Sequence, residues 1–420
     1  MMTIRLKKGL FLYWYGLVIL GKMIQNLYEP LFDYDGIYII FIIVYSLKYL
    51  NNIVNGHIKI GNLEKTVGLI ILYIFLFGFV FVSPMIEEDV NVYAIKTIVW
   101  IWCLYLIAHN FTAHYDFETF LKITYITQLI YLIYVFCVYF EGLSFLSDIG
   151  DIFNVASQMS RNRNGYGSHA NITGLYIVSE YMVGLILCQY LDKNKKRMII
   201  AINYILAIML MSTASRNSIL SSAILLVIYW MSRLYRRNKK LFIKILKYGL
   251  VFALVAFAFI CANINRYESL FMSFSRFYPI ALGIDTVIRN GNIWTGIGYC
   301  TTEGLNILQR IYGINVAYME NFYVYVFVSS GIIGIFVMLY VYYRLLRKSI
   351  ISVKNHWELL VSIVATIGCF LFAGLGEQVG MSSGYEPSWI FMLILFILSD
   401  AKATTIENSK SILRSLVRTN

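Results

Sequence analysis

Residues 321–348 read NFYVYVFVSSGIIGIFVMLYVYYRLLRK, and this stretch decides the fold class. Positions 321–343 carry no charge and exceed the roughly 20 residues that a helix needs to cross a bilayer's hydrocarbon layer. Arg344, Arg347 and Lys348 follow at once. Working outward, similar apolar runs lie near 10–28, 36–50, 66–86, 90–109, 120–141, 170–191, 197–214, 217–232, 247–263, 357–375 and 387–400. The second and the last of the twelve are short, and aromatic residues crowd the ends of most. Hydrophobic residues make up 59% of the 420, charged residues 14%, and mean hydropathy is +0.68, which no soluble core can absorb.

The expectation is an all-α polytopic integral membrane protein of about 12 transmembrane helices, forming one membrane domain over 1–400 with a cytoplasmic tail at 401–420. Most connections are short. The exceptions are outer loops at 142–169 and at 264–320, the latter between the ninth and tenth helices. The larger loop contains an expected short helix entered at Pro279, a turn at Asn290-Gly291-Asn292, and Gly296-Ile297-Gly298. A long structured loop between spans usually carries function. Arg5, Lys7 and Lys8 precede the first run with no small-residue cleavage site after it, so the run reads as a retained span.

Charge sorts by side. With both termini placed in the cytoplasm, 26 of the 35 lysines and arginines fall on the inner side, as the positive-inside rule requires. The net charge of +12 is therefore topological and is no sign of a nucleic-acid partner. Lys22 and Lys96 lie within apolar runs. The seven basic residues left on the outer side are all arginine: Arg161, Arg163, Arg216, Arg266, Arg276, Arg289 and Arg310. A permanently charged planar fork suits phosphate, so this set points to an outward-facing site for a phosphorylated substrate.

Several constellations could carry chemistry. Ser212-Thr213-Ala214-Ser215-Arg216-Asn217 links two spans, a tight hairpin that would hold Arg216 at a fixed depth with hydroxyls to orient it. An ordinary turn with a snorkelling arginine is the alternative. Arg161-Asn162-Arg163-Asn164-Gly165-Tyr166-Gly167-Ser168-His169-Ala170-Asn171 brings arginines, amides and glycines to the start of the sixth span, a composition suited to an anion or sugar hydroxyl. His169 could equally be a loop residue. Glu320, before Asn321, could take a proton from an acceptor hydroxyl, or could be a helix-start acid. Asp33/Asp35 and Asp148/Asp151 could bind a divalent metal or sit in solvated turns. Glu180 lies near mid-span, where it could pair with Lys22 or Lys96 or join a proton path. No zinc spacing, P-loop or dinucleotide fingerprint is present in the sequence.

The ordered set resembles the bacterial O-antigen ligase/polymerase superfamily, and within it the Wzy-type polysaccharide polymerases. The likeness rests on R-x-N-G…N at 163–171, S-x-x-S-R at 212–216, Arg276 ahead of a helix leading to W-x-G-I-G at 294–298, and E-N-F-Y at 320–323 before a span with Gly331 and Gly334. It implies oligosaccharide repeats carried on undecaprenyl pyrophosphate and joined by metal-independent, inverting transfer at the outer face of the bacterial cytoplasmic membrane. No cofactor is implied; a flippase and a chain-length regulator are the implied partners. Arg216 and Arg276 would stabilise the departing pyrophosphate, with Arg163 and Arg289 in support. Arg161, Asn171, Asn321 and His169 would contact pyrophosphate or sugar. Ligases of the superfamily carry histidine before the asparagine of the last motif. Glu320-Asn321 here favours a polymerase and makes Glu320 the candidate base. The alternatives are an O-antigen ligase, a metal-dependent lipid-sugar transferase using Asp33 and Asp35, and a flippase, which would place cations along a cavity within the spans.

Overall fold

The computed structural model describes residues 8–29, 34–55, 61–82, 89–140, 165–262, 277–289, 292–298, 321–377 and 386–400. These form helices α1 (Lys8–Ile24), α2 (Tyr34–Val54), α3 (Asn62–Phe75, continued by a π-turn Leu76–Val80), α4 (Asp89–His114), α5 (Phe117–Tyr139), α6 (Ala170–Leu187) and α7 (Lys193–Ser212). They continue as α8 (Arg216–Arg237), α9 (Lys239–Ala262), α10 (Phe277–Arg289), α11 (Phe322–Val353), α12 (Trp357–Ala373) and α13 (Glu386–Asp400). No strand occurs among the described residues. Seven helices are long and apolar enough to cross a membrane, and α1 and α12 contain shorter apolar stretches. The helix expected at Pro279 is present as α10.

The bundle is organised around α13. Every residue from Glu386 to Leu398 is buried, and the helix packs against α1, α3, α4, α5, α6 and α11. Phe391 stacks on Phe370 of α12 with ring centroids 3.7 Å apart. A helix apolar on every side belongs in an interior. The last apolar run is thus a central post wrapped by other helices rather than a lipid-facing one. The outer surface is the reverse. On α9, Tyr248, Val251, Phe252, Leu254, Val255 and Phe259 are exposed, and on α2 so are Ile39, Ile40, Ile43 and Leu47. Contiguous apolar surface of this kind requires a bilayer around it.

Chain segments expected on the inner side meet at one end of the bundle. Thr112 donates to Asp400 at 2.6 Å, Arg233 pairs with Glu358 at 3.0 Å, and Asn62, Arg344, Lys348 and Ser399 line one cleft. Side-chain caps define several helix starts: Asp116 accepts from Thr119 N, Asp192 from Asn194 and Lys195 N, and Asn321 from Val324 N.

The intramembrane charges do not pair as the simplest reading suggests. Glu180 is fully buried, yet neither of its carboxylate oxygens meets a hydrogen-bond partner. It pairs with neither lysine. Lys22 donates to Gln25 at 3.0 Å and lies 5.7 Å from the Trp389 ring, while Lys96 is exposed two turns into α4. A second buried carboxyl, Glu386, accepts from Gln128, whose amide also donates to Ser179.

Helix α6 approaches α8 through Gly174. A Cβ there would fall 2.6 Å from Ser218 Oγ and 2.9 Å from Ser218 Cβ. Gly174→Val should therefore force the two helices apart and lower stability by about 1–3 kcal/mol, read as a fall in the thermal unfolding midpoint of the full chain in detergent.

Candidate functional site

The end of the bundle opposite the basic clusters gathers segments far apart in sequence. The first is the turn 165–169, entered through two consecutive left-handed residues, Tyr166 (φ 48°) and Gly167 (φ 74°). Thr173 donates to Gly165 O at 2.7 Å, Ser168 donates to Asn26 O at 2.6 Å, and Tyr28 N donates to Gly167 O at 2.8 Å. These bonds pin the turn to the end of α1 and the first turn of α6. His169 caps α6, its Nδ1 accepting from Asn171 N at 3.4 Å, and Asn171 is buried.

The second segment is the corner between α7 and α8. Thr213 closes α7, Ala214 adopts φ 47°, Ser215 precedes α8, and Arg216 is the first residue of α8. Ser212, Thr213, Ser215 and Ser218 are wholly buried, and Arg216 is half-exposed. The hydroxyls were expected to orient Arg216; Ser212 and Thr213 instead bond back to Met209 O (2.8 Å) and Leu210 O (2.7 Å), closing the end of α7. Ser215 Oγ pairs with Ser218 Oγ at 2.9 Å and makes no cap bond, and Arg216 stands at the positive end of the α8 dipole. Such an end favours an anion.

Tyr166 joins the two segments: its hydroxyl meets Ser212 Oγ at 2.5 Å while its ring stacks on Phe136. The third segment arrives through the end of α12. Asn217 donates to Ala373 O at 3.2 Å; on the next two residues, Phe322 N donates to Gly374 O at 2.9 Å and Asn321 donates to Leu375 O at 2.8 Å. The end of α12 therefore anchors both the Arg216 corner and the start of α11. Asn321 caps α11 with Oδ1 and holds α12 with Nδ2, so both ends of its amide serve the fold.

The fourth segment, 293–298, enters a break in α11. Gly331 adopts φ 61°, ψ −159°, a conformation essentially restricted to glycine. The break removes the helical bonds that would join residue 332 to 328 and residue 333 to 329. The loop supplies both halves of each: Ile297 N donates to Val328 O (2.8 Å) and Gly298 N to Ser329 O (3.0 Å), while Ile332 N donates to Ile293 O (2.9 Å) and Ile333 N to Trp294 O (3.1 Å). A Cβ on Gly296 would fall 2.5 Å from Ser330 N and Val328 O, so the glycine is needed for the approach. Tyr73 of α3 braces the break through Ser330 Oγ at 2.7 Å. The π-turn after α3 abuts Gly298.

Arg289 ends α10, which packs on α11; it pairs with Asp285 at 2.7 Å and its side chain is 71% exposed. Arg161, Arg163, Arg266, Arg276, Arg310, Glu320, Asp33, Asp148 and Asp151 lie outside the described residues, as does the side chain of Asp35. Tyr166 and Asn217 stand in the sequence motifs without an individual role there, and the α12 terminus stands in none. Only the polar corner beside a helix start hinted at Asn217, and nothing marked Ala373–Leu375, whose contribution is backbone.

Gly331→Ala should lower stability by about 1–3 kcal/mol through backbone strain. It should also speed hydrogen exchange at Ile297, Gly298, Ile332 and Ile333 well beyond the general rise. Tyr166→Phe, which deletes one buried hydrogen bond, should lower stability by about 0.5–1.5 kcal/mol in the same unfolding assay.

No protein-family model matches the chain, and a comparison with curated proteins finds no match.

Proposed function

We propose that this protein is a polysaccharide polymerase that joins oligosaccharide repeats carried on undecaprenyl pyrophosphate at the outer face of a bacterial cytoplasmic membrane. In this reading the chain crosses the membrane twelve times, keeps both termini inside, and needs no metal. The observation that carries the reading is convergence: 165–171, 212–217 and 321–323 are linked at one end of the bundle by Tyr166–Ser212 and by the shared α12 terminus. These are the same segments whose order resembles the polymerases. Glu320-Asn321, where ligases of the superfamily carry histidine, favours a polymerase over a ligase, and the exposed Arg289 and half-buried Arg216 lie at helix ends rather than along an interior path.

The chemistry follows from charge. An acceptor sugar hydroxyl attacks the anomeric carbon of the growing chain from the face opposite the pyrophosphate. The C–O bond to pyrophosphate breaks with its electron pair on oxygen, and configuration inverts. Negative charge grows on the leaving group, where Arg216 at the start of α8, with Arg276, Arg163 and Arg289, stabilises it. Glu320 accepts the hydroxyl proton. Arg161, Asn171, Asn321 and His169 border the substrate.

The test is polymer length in cells carrying Arg216→Lys or Glu320→Gln, with protein abundance measured in the same membranes. Lysine keeps the charge but loses the bidentate fork, so polymerisation should fall by about 100-fold or more with single repeats accumulating on lipid. Long polymer in both variants would remove these residues from the site. Failure of lipid-linked repeats to reach the outer face would point to transport instead.

A further inference from the structure

At the basic end of the bundle, the last turns of α8 and the start of α12 enclose a cleft of about 730 Å³ lined by Trp230, Arg233, Leu234, Arg236, Arg237, Trp357 and Glu358. It lies at the end opposite the convergent segments described above. We propose that this cleft is a binding site for the headgroup of an anionic phospholipid, with the acyl chains lying along α8.

Charge selects an anion. Three guanidinium groups face one carboxylate, and that carboxylate is engaged: Arg233 holds Glu358 at 3.0 Å while resting 5.1 Å from the Tyr229 ring centroid. Arg236 and Arg237 are exposed, leaving the cleft with a net positive charge. The Arg236 guanidinium sits 5.6 Å from the Trp357 ring centroid. Stacking of that kind fixes the plane of the fork and leaves its N–H edges for oxygen ligands, a geometry matched to phosphate.

Shape and surface select a lipid over a soluble anion. Leu226, Val227 and Trp230 are 53%, 57% and 63% exposed. With Arg233, Leu234 and Arg237 they follow the three- and four-residue spacing of one helix face. An apolar stripe thus runs along α8 directly into the arginine cleft. A ligand with an anionic head and apolar chains satisfies both parts at once. Free phosphate would use only the cleft and leave the stripe uncovered. Basic clefts between helices at the cytoplasmic side of a membrane bind anionic lipid headgroups.

The test uses the full chain in detergent and native mass spectrometry with added phosphatidylglycerol or phosphatidylcholine. Phosphatidylglycerol should be retained preferentially, and Arg236→Gln/Arg237→Gln should weaken that retention by about tenfold or more. A control pair, Lys193→Gln/Lys195→Gln, removes the same charge elsewhere at this end and should leave retention intact. Equal retention of the two lipids would overturn the proposal, as would an equal loss in both double variants, which would show diffuse electrostatics. Displacement of the lipid by millimolar inorganic phosphate would show a headgroup-only anion pocket and overturn the lipid assignment. Loss of polymerisation plays no part in the readout, so the result stands apart from the proposed activity.

Discussion

The break at Gly331 governs how the rest of the structure can be arranged. A membrane interior offers no water to backbone groups, so helix α11 could not open there unless something replaced its two lost hydrogen bonds. Residues 293–298 replace them with four, two on each side of the break. That exchange ties a long inter-helix connection to the wall of the bundle and thereby fixes where α10 and Arg289 lie. It also explains the surrounding glycines: Gly296 and Gly331 permit the backbones to meet, and at both a side chain would collide with the opposite strand of the contact.

A comparable economy operates at the corner between α7 and α8. Its hydroxyls face inward and close α7, so the corner is rigid before any ligand arrives. Such rigidity suits the proposed reaction. A cation that must stabilise charge developing on a leaving group works best when it is already in place, because reorientation during the reaction would cost part of the gain. Tyr166 extends that rigidity to the neighbouring turn, and the terminus of α12 extends it to the start of α11.

The middle of the bundle has a different character. Helix α13 is wrapped on all sides, and its first residue, Glu386, is buried beside Gln128 and Ser179. Glu180 lies nearby in α6 without a hydrogen-bond partner. Buried carboxyl groups in a membrane interior are costly as anions. Both carboxyls lie around the central post, and Lys22 stands one turn further along it, 5.7 Å from the Trp389 ring, without pairing with Glu180.

How much of this was legible in the chain itself depends on the range of the interaction. Hydropathy and the run of Arg344, Arg347 and Lys348 after an uncharged segment identify a helical membrane protein, because crossing lipid demands length and apolarity that composition displays directly. Each of the twelve apolar runs overlaps a helix among the described residues, and the helix near Pro279 follows from local rules as well. The polar corner at 212–217 was visible as an interruption between two such runs. Tertiary structure alone decided that α13 stands at the centre, that Glu180 has no lysine partner, that Tyr166 reaches Ser212, and that 293–298 completes α11. Each depends on contacts between residues far apart in sequence. Several are made by backbone groups, which every residue except proline carries alike and which leave no mark in the order of side chains.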